Sequence, residues 1–555
     1  MSSINDIFDI GKQGMQAQQA AIQVTSHNIA NVNTQGYSRQ EVIFDETTPS
    51  NGNPGQVGTG VRATEIQRKY DNFIDAQIIN SKESYGNLDI QNSSISKISN
   101  IFYDSMGTGI NSLLNEFFNS LQDLSANPSG TPERVTVLSR AGALANSINS
   151  AYSDLVQLQR DMDNQINQTV NDINRITSQI SGLNEKISQA ENTGQNANDY
   201  RDKRGLLLND LAEKVDINYF EDSTGQITVM GAGSALLVER GNSYNLGVES
   251  NPDNNGYYNI VSNPSGSSSI NLTDRISGGR LKGLLTIRDS TTADAIDDLD
   301  RFAAAISNEI NQIHRSGYGL DGSTGLDLFT PAFIPGDAAS VMPLSANSGT
   351  GSVSATINDP SQLTYQNYEL TFSGGNYTIT NKVTNTSQTA VYTSPAVFTF
   401  EGLSVTINGV HNNGDTYTLS SHKNTAKNMH VAIDISNSDK VAAATDPANN
   451  RDDNRNALLI AQLQDKLSID GTSSFSSYYS SIVGKIGANA QNVNNVYEGQ
   501  KFSLQQLDNM RESVSGVSLD EEMTNLMKFQ HAYEASARLI TIGDELLKTL
   551  LGMLG

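Results

Sequence analysis

The stretch SHNIANVNTQGYSRQ, Ser26 to Gln40, places Asn28, Asn31, Asn33 and Gly36 between two aliphatic segments near the start of a 555-residue chain. Asparagine tolerates left-handed backbone and glycine adopts positive φ without a steric cost, so the string reads as a tight turn that closes a helix, with Tyr37 packing behind it. Ahead of it, Ile4, Phe8, Gly11, Met15, Gln18, Ile22, Thr25 and Ile29 recur at alternating spacings of four and three, and Phe8, Met15, Ile22 and Ile29 share one heptad position. At the other end Leu519, Met523, Leu526, Tyr533, Ala537, Ile540, Leu547, Leu551 and Leu554 repeat that spacing, interrupted at Gln530 and Asp544. Ser518 and Glu521 read as a capping box, and Asp520, Glu521 and Glu522 suit the positive end of the helix dipole. A one-stripe helix at a chain end is marginal alone. Each is therefore expected to dock on the other as a coiled-coil-like pair.

Composition narrows the function classes. A formal net charge of −24 opposes nucleic-acid binding and gives an anionic membrane nothing to attract, so a protein partner is expected. Cysteine is absent, which removes disulfides, thiolate chemistry and Cys-ligated zinc. Met1 to Ile10 lack the basic and apolar regions of a cleaved signal, and no run is apolar enough to span a bilayer.

Between the ends lies a long helical pattern. Thr131 is expected to cap a helix with Pro132 at its first position. Leu138, Ala145, Tyr152, Ile166, Ile173, Ile180 and Ile187 then hold one heptad position, and Ile148, Leu155, Met162, Ile176 and Leu183 the other. From Pro132 to about Ala190 this predicts a rod of roughly 90 Å at 1.5 Å per residue. Further helices are expected at 88–124, 200–214, 290–315, 453–466 and 474–511. Residues 217–288 and 330–430 break the period with short alternating runs, and Tyr368–Phe372 and Tyr377–Thr380 resemble a hairpin around Ser373–Asn376. The expected fold is mainly α with inserted β. Residues 1–55 pair with 512–555 as an inner domain; 56–216 with 289–329 and 431–511 make an elongated helical bundle; 217–288 is a small β-rich segment; 330–430 is a β-rich surface insert.

The string N-I-A-N-x-N-T-x-G-Y-S-R-Q, on Asn28 to Gln40, resembles the N-terminal motif of the bacterial flagellar axial proteins, the rod, hook and junction subunits. G-Y-S-R-Q rather than G-F points within that family to the hook–filament junction subunits. So do Val57–Val61 with Ile66, Arg68, Tyr70, Asp71 and Phe73; Gly278–Leu285 with Arg288 and Asp289; Asp453–Leu458; and Ser515–Met523. The resemblance leaves out 330–430, which matches no family pattern. It implies a structural subunit that polymerises at the distal end of the hook, with terminal segments that are disordered in the monomer and fold as paired helices lining the tube. The implied partners are further copies of the chain, hook protein, the second junction protein and flagellin side, and an export chaperone for the C-terminal segment. It also implies export to the flagellum without a cleaved signal. Joined with the two apolar stripes read from spacing, it gives as the expected assembly interface Phe8, Met15, Ile22, Asn28, Ile29, Asn31, Asn33, Gly36, Tyr37, Leu519, Met523, Leu526, Tyr533, Ala537, Ile540, Leu547 and Leu551.

Chemical readings are weaker. Gly317–Gly322 is formally G-x-G-x-x-G but follows a helix rather than a strand. Asp321, Asp327 and the run Asp446 to Asp453 lack the spacing of a calcium loop, and the histidines, His27, His314, His411, His422, His430 and His531, show no zinc-binding pair. No catalytic residue, cofactor or metal is expected. The competing readings are a hook or rod subunit, and an adhesin or enzyme activity carried by 330–430.

Overall fold

The computed structural model describes residues 2–51, 55–103, 109–262, 269–332, 340–359, 362–469 and 471–554. Eleven helices occur among them: α1 (Ser2–Ala30), α2 (Asn72–Ile101), α3 (Ile110–Ala126), α4 (Thr131–Glu191), α5 (Asn198–Lys214), α6 (Gly279–Thr286), α7 (Thr292–Ser316), α8 (Thr425–Asn428), α9 (Arg455–Ala461), α10 (Phe475–Ser515) and α11 (Leu519–Leu554). None is long and apolar enough to cross a membrane.

The 61-residue α4 is the spine. Its heptad positions are buried except Tyr152 and Leu183, which are half-buried, and they meet α3, α5, α6 and α7 in one continuous core. Gly130 rather than Thr131 holds the N-cap position, and Pro132 sits in the first turn, where no intrahelical amide is needed. The single helix expected over 88–124 is two: α2 starts early, at Asn72, because the Asp71 carboxylate caps the amides of Phe73 and Ile74, and α3 starts afresh at Ile110. The intervening 104–108 lie outside the described residues. The helix expected at 290–315 begins at α6 instead, since a π turn, Ile287–Thr291, carries α6 into α7 without a break. That helical stretch falls inside the segment read as β-rich from 217 to 288.

Gly86 of α2 fits where α5 and α6 converge. A Cβ there would lie 2.0 Å from the Glu213 carbonyl oxygen and 3.2 Å from the Arg280 amide nitrogen.

The β modules are antiparallel and separate. Residues 217–271 form a four-stranded and a three-stranded sheet. The insert is a sandwich of a five-stranded sheet, in the order Val341–Pro343, Thr416–Ser420, Asn367–Ser373, Asn376–Asn381, Ser387–Val391, against a three-stranded one. The hairpin expected at 368–380 is present, its turn made by Gly374 and Gly375 at φ of 57° and 78°. Tyr377 stacks on Phe398 between the sheets, with ring centroids 4.6 Å apart. A further ribbon, Gln40–Glu46 with Val61–Arg68, spans the division drawn at residue 55 and packs along α1.

Replacing Gly86 by alanine raises intrinsic helix propensity by about 1 kcal/mol. The backbone collision outweighs this gain. Gly86→Ala is expected to lower the thermal midpoint of the helical body, read by calorimetry, whereas Gly484→Ala, where nothing lies within 4 Å of the added methyl, is not.

Candidate functional site

The turn of Asn31–Gly36 is built as its residues dictate. Asn31 Nδ2 donates to the His27 carbonyl at 3.0 Å, the Thr34 hydroxyl donates to Asn31 Oδ1 at 3.1 Å, and Gly36 takes φ of 78°. The chain then doubles back along the last turn of α1 so that Asn28, 1% exposed, meets Gln40. Asn28 Nδ2 donates to the Gln40 carbonyl at 2.9 Å, and the Gln40 amide donates to Asn28 Oδ1 at 3.0 Å, as a strand partner would. The Tyr37 hydroxyl adds a second bond to Oδ1 at 2.8 Å, and Nδ2 gives its other hydrogen to Glu522 Oε2 at 3.0 Å. Both lone pairs and both hydrogens of the carboxamide are used. Burial, then Asp199, Asp202 and Glu522, push the Tyr37 hydroxyl far above its ordinary pKa, which keeps it a donor.

Glu522 ties this corner to α11. Its carboxylate is 2% exposed and accepts Arg39 Nε on Oε1 at 2.7 Å. Arg39 Nη1 also reaches Glu521 Oε2 at 3.1 Å, so Glu521 serves this pair between the two ends of the chain in place of the capping role expected with Ser518. Other bonds join the corner to the body: the Ser38 amide to Asp202 Oδ2 at 2.8 Å, Arg68 Nη1 to Asp202 Oδ1 at 2.9 Å, and Arg511 Nη2 to the Gly36 carbonyl at 3.2 Å. The Arg39 amide donates to the Ser515 carbonyl at 2.8 Å. One polar cluster thus holds α1, the ribbon, α5, α10 and α11 together.

Beyond the corner α1 and α11 run antiparallel, and here the expected seam needs correction. The closest approach is made by small residues. A Cβ at Gly11 would lie 2.7 Å from Ile540 Cγ1, and one at Gly14 2.8 Å from Ser536 Oγ. Ala17, Ala21 and Val24 continue the buried face, and Phe44 of the ribbon and Phe529 close its end. Phe8, Met15, Ile22 and Ile29 are half-buried shoulders of the seam, as are Leu526, Tyr533, Ala537, Ile540 and Leu547. Leu519, Met523 and Leu551 are exposed, at 48%, 50% and 62%. The side chains of Ile4 and Leu554 lie outside the described residues. A heptad count weights bulky side chains, yet two helices approach most closely where side chains are smallest, so the large residues are displaced to the flanks. A second stripe, Leu539, Ile542, Leu546, Leu550 and Met553, is exposed on α11.

Asn28 and Tyr37 are thus central to the cluster, Asn31 and Gly36 shape the turn, and Asn33 is exposed. Sequence reasoning placed Gly11 on the docking stripe but missed the contact role of Glu522, Asp202 and Gly14. Glu522 carried a signal, as the acid of an L-D-E-E helix start that sits opposite Arg39 once the ends pair. Gly317–Gly322 lies in the loop leaving α7, where the Gly319 amide bonds the Ser323 carbonyl, and the next described element is a strand. Asp453 accepts bonds from Thr445, Asp446 and Arg455, its immediate neighbours. Among the described residues no three His, Asp or Glu side chains are placed to hold a metal ion.

Family models match the chain in order: a flagella basal body rod protein model over 8–37, the helical domain of flagellar hook-associated protein FlgK over 95–329, a D2-like domain of flagellar hook-associated protein 1 over 343–421, and the C-terminal model of flagellar basal body rod FlgEFG proteins over 511–553. The third match corrects the reading of 330–430 as foreign to the family. Flagellar hook-associated protein 1 of Escherichia coli (strain K12) is 27% identical over 558 residues, covering 99% of this chain and all of that protein. The Bacillus subtilis (strain 168) protein of the same name is 28% identical over 579 residues, covering 99% and 98%. The structure of the flagellar hook junction protein FlgK from Burkholderia pseudomallei aligns over 79% of this chain and all of that one, with a TM-score of 0.70 at 21% identity, and supports the fold.

Asn28→Asp sets a carboxylate against Glu522 and the Gln40 carbonyl. An uncompensated buried charge costs about 3–5 kcal/mol. Repulsion and burial hold the new group's folded pKa above its unfolded value, so the loss is full at neutral pH and is relieved as pH falls and the group protonates. The expected result is faster amide exchange across 15–40 and 515–530 at pH 7, and partial recovery near pH 4.

Proposed function

Because the chain belongs to the flagellar hook-associated protein 1 family, we propose that it is a structural subunit of the bacterial flagellum that polymerises at the distal end of the hook and forms the hook–filament junction on which the filament assembles. The observation that carries this is colinearity from end to end with hook-associated protein 1 of distant bacteria. The two ends match rod-protein models, which supports reading them as the tube-building part. The matches over 95–329 and 343–421 separate this chain from a hook or rod subunit.

The interface we assign consists of the side chains that the intrachain pair leaves uncovered. Phe8, Met15, Ile22 and Ile29 line one flank; Leu519, Met523 and Leu551, with Leu539, Ile542, Leu546 and Leu550, present apolar area on α11. Covering such a stripe with neighbouring copies stabilises a polymer at roughly 25 cal/mol per Å² of apolar surface. Asn28, Tyr37, Arg39 and Glu522 hold the helix pair at a fixed attitude to the body, which a repeating tube requires. Hook protein lies on one side and the second junction protein and flagellin on the other. Export without a cleaved signal and a chaperone on the C-terminal segment complete the reading, with no nucleic-acid or membrane partner and no catalytic activity.

Leu546 is 46% exposed, so Leu546→Asp leaves the subunit folded but buries a carboxylate in every copy of a polymer. Cells carrying it are expected to lack filaments by electron microscopy and to shed flagellin into the medium by blotting. Lys548→Gln, which removes only an exposed i,i+4 pair with Asp544, should assemble normally. Normal filaments with Leu546→Asp at normal expression and export would remove the stripe from the interface.

A further inference from the structure

A cleft of about 570 Å³ opens where four parts of the molecule meet: the spine helix α4, α7, the turn at 252–257, and the base of the insert. The parts are fixed around it. Asp253 accepts the Ser345 amide and hydroxyl, each at 2.7 Å, and so bridges the two β modules across one side. Asp297, at the floor, accepts His422 Nε2 at 2.9 Å and Asn367 Nδ2 at 2.7 Å; Asp300, 3% exposed, accepts the amides of Asn424 and Ala426. Burial pushes the Asp300 carboxyl up to about 8. Burial alone would raise Asp297, but its bonds from His422 and Asn367 hold it below the ordinary carboxylate range, so it is an anion bonded within the fold, whereas Asp300 is pushed toward its neutral form.

Of its cations, Lys382 is paired with Glu369 Oε2 at 3.1 Å, and the other two make no ion pair among the described residues. Arg160 is exposed on α4 at the rim, and Lys423 touches Met342 Sδ at 3.0 Å, with Asp297 and Asp300 beyond ion-pair distance. In a chain of net charge −24 the recess thus gathers Arg160 and Lys423 beside one ionised acid, Asp297, whose oxygens are bonded within the fold. Tyr152 and Tyr257 line the wall on the side of α4 and the turn, held by bonds to Asn424 and Gln159 at 3.0 and 3.3 Å, and Asn255 lies on the lining as an amide. Interdomain clefts of this size, with aromatic walls and a few converging polar groups, are where small ligands bind. Cations select a carboxylate, aromatic faces pack against the apolar face of a sugar ring, and amides pair with hydroxyls.

We propose that this cleft binds a carboxylated saccharide, with Arg160 and Lys423 holding the carboxylate and Tyr257 packing on the ring. The test is calorimetric titration of the full-length protein with trigalacturonate, its methyl ester, and inorganic sulfate. Trigalacturonate is expected to bind at least tenfold more tightly than either of the others. Arg160→Gln with Lys423→Gln, and separately Tyr257→Ala, should each weaken it at least tenfold at an unchanged thermal midpoint. Arg160→Gln alone, at an exposed position, gives the same direction if the double variant is unstable. No binding of trigalacturonate, equal binding of the methyl ester or of sulfate, or unaltered binding by the folded variants would overturn the proposal. Filament assembly by the charge variants is expected to be normal, which separates this site from the junction role.

Discussion

A single carboxylate closes the chain on itself. Glu522, buried at the head of the last helix, is held between Arg39 and Asn28, residues 483 and 494 positions away. A buried charge is tolerable only when paired and fully hydrogen-bonded. That requirement ties the register of α1 against α11 to these bonds, because sliding either helix would part Glu522 from Asn28 and Arg39. The same cluster grips Asp202 of the body through Ser38 and Arg68, so the helix pair inherits its direction from the body.

The rest of the molecule is arranged around that constraint. The body is stabilised by its continuous apolar core along α4, where Ile148, Leu155, Ile166, Ile173 and Ile180 are fully buried. The terminal pair has no such core. Its inner face is glycine and alanine, which lets the backbones approach but buries little area, and its larger apolar side chains are left on the outside. The pair therefore depends on the polar corner for geometry, and on neighbouring copies for much of its burial.

The spine, the terminal helices, the hairpin at 368–380 and the corner turn were legible because each follows from local periodicity or turn chemistry. What escaped the sequence were choices made by tertiary contact. Gly11 stood in the expected stripe, but large residues at heptad spacing drew attention from Gly14, whose importance, like that of Gly11, lies in having no side chain. The end of α2 at Ile101, the fresh start of α3 at Ile110 and the continuation of α6 through a π turn carry no period that a helix count can register. At the corner, asparagines and glycine announced a turn, but which of them would be buried depended on Glu522 arriving from the opposite end. Asn28 and Asn33 look alike in sequence; only the former meets that carboxylate.

The central claim is that the two ends of one chain pair in the register set by Glu522. The chain has no cysteine, so a pair of introduced thiols reports on this without background. A Cβ at Gly14 lies 3.4 Å from Ser536 Cβ, near the range that a disulfide spans. Mild oxidation of purified Gly14→Cys, Ser536→Cys protein, followed by non-reducing electrophoresis and peptide mapping, measures the pairing directly. The account predicts a single intrachain link between these positions in the monomer band. Failure of the link to form, or its formation only between chains, would contradict it.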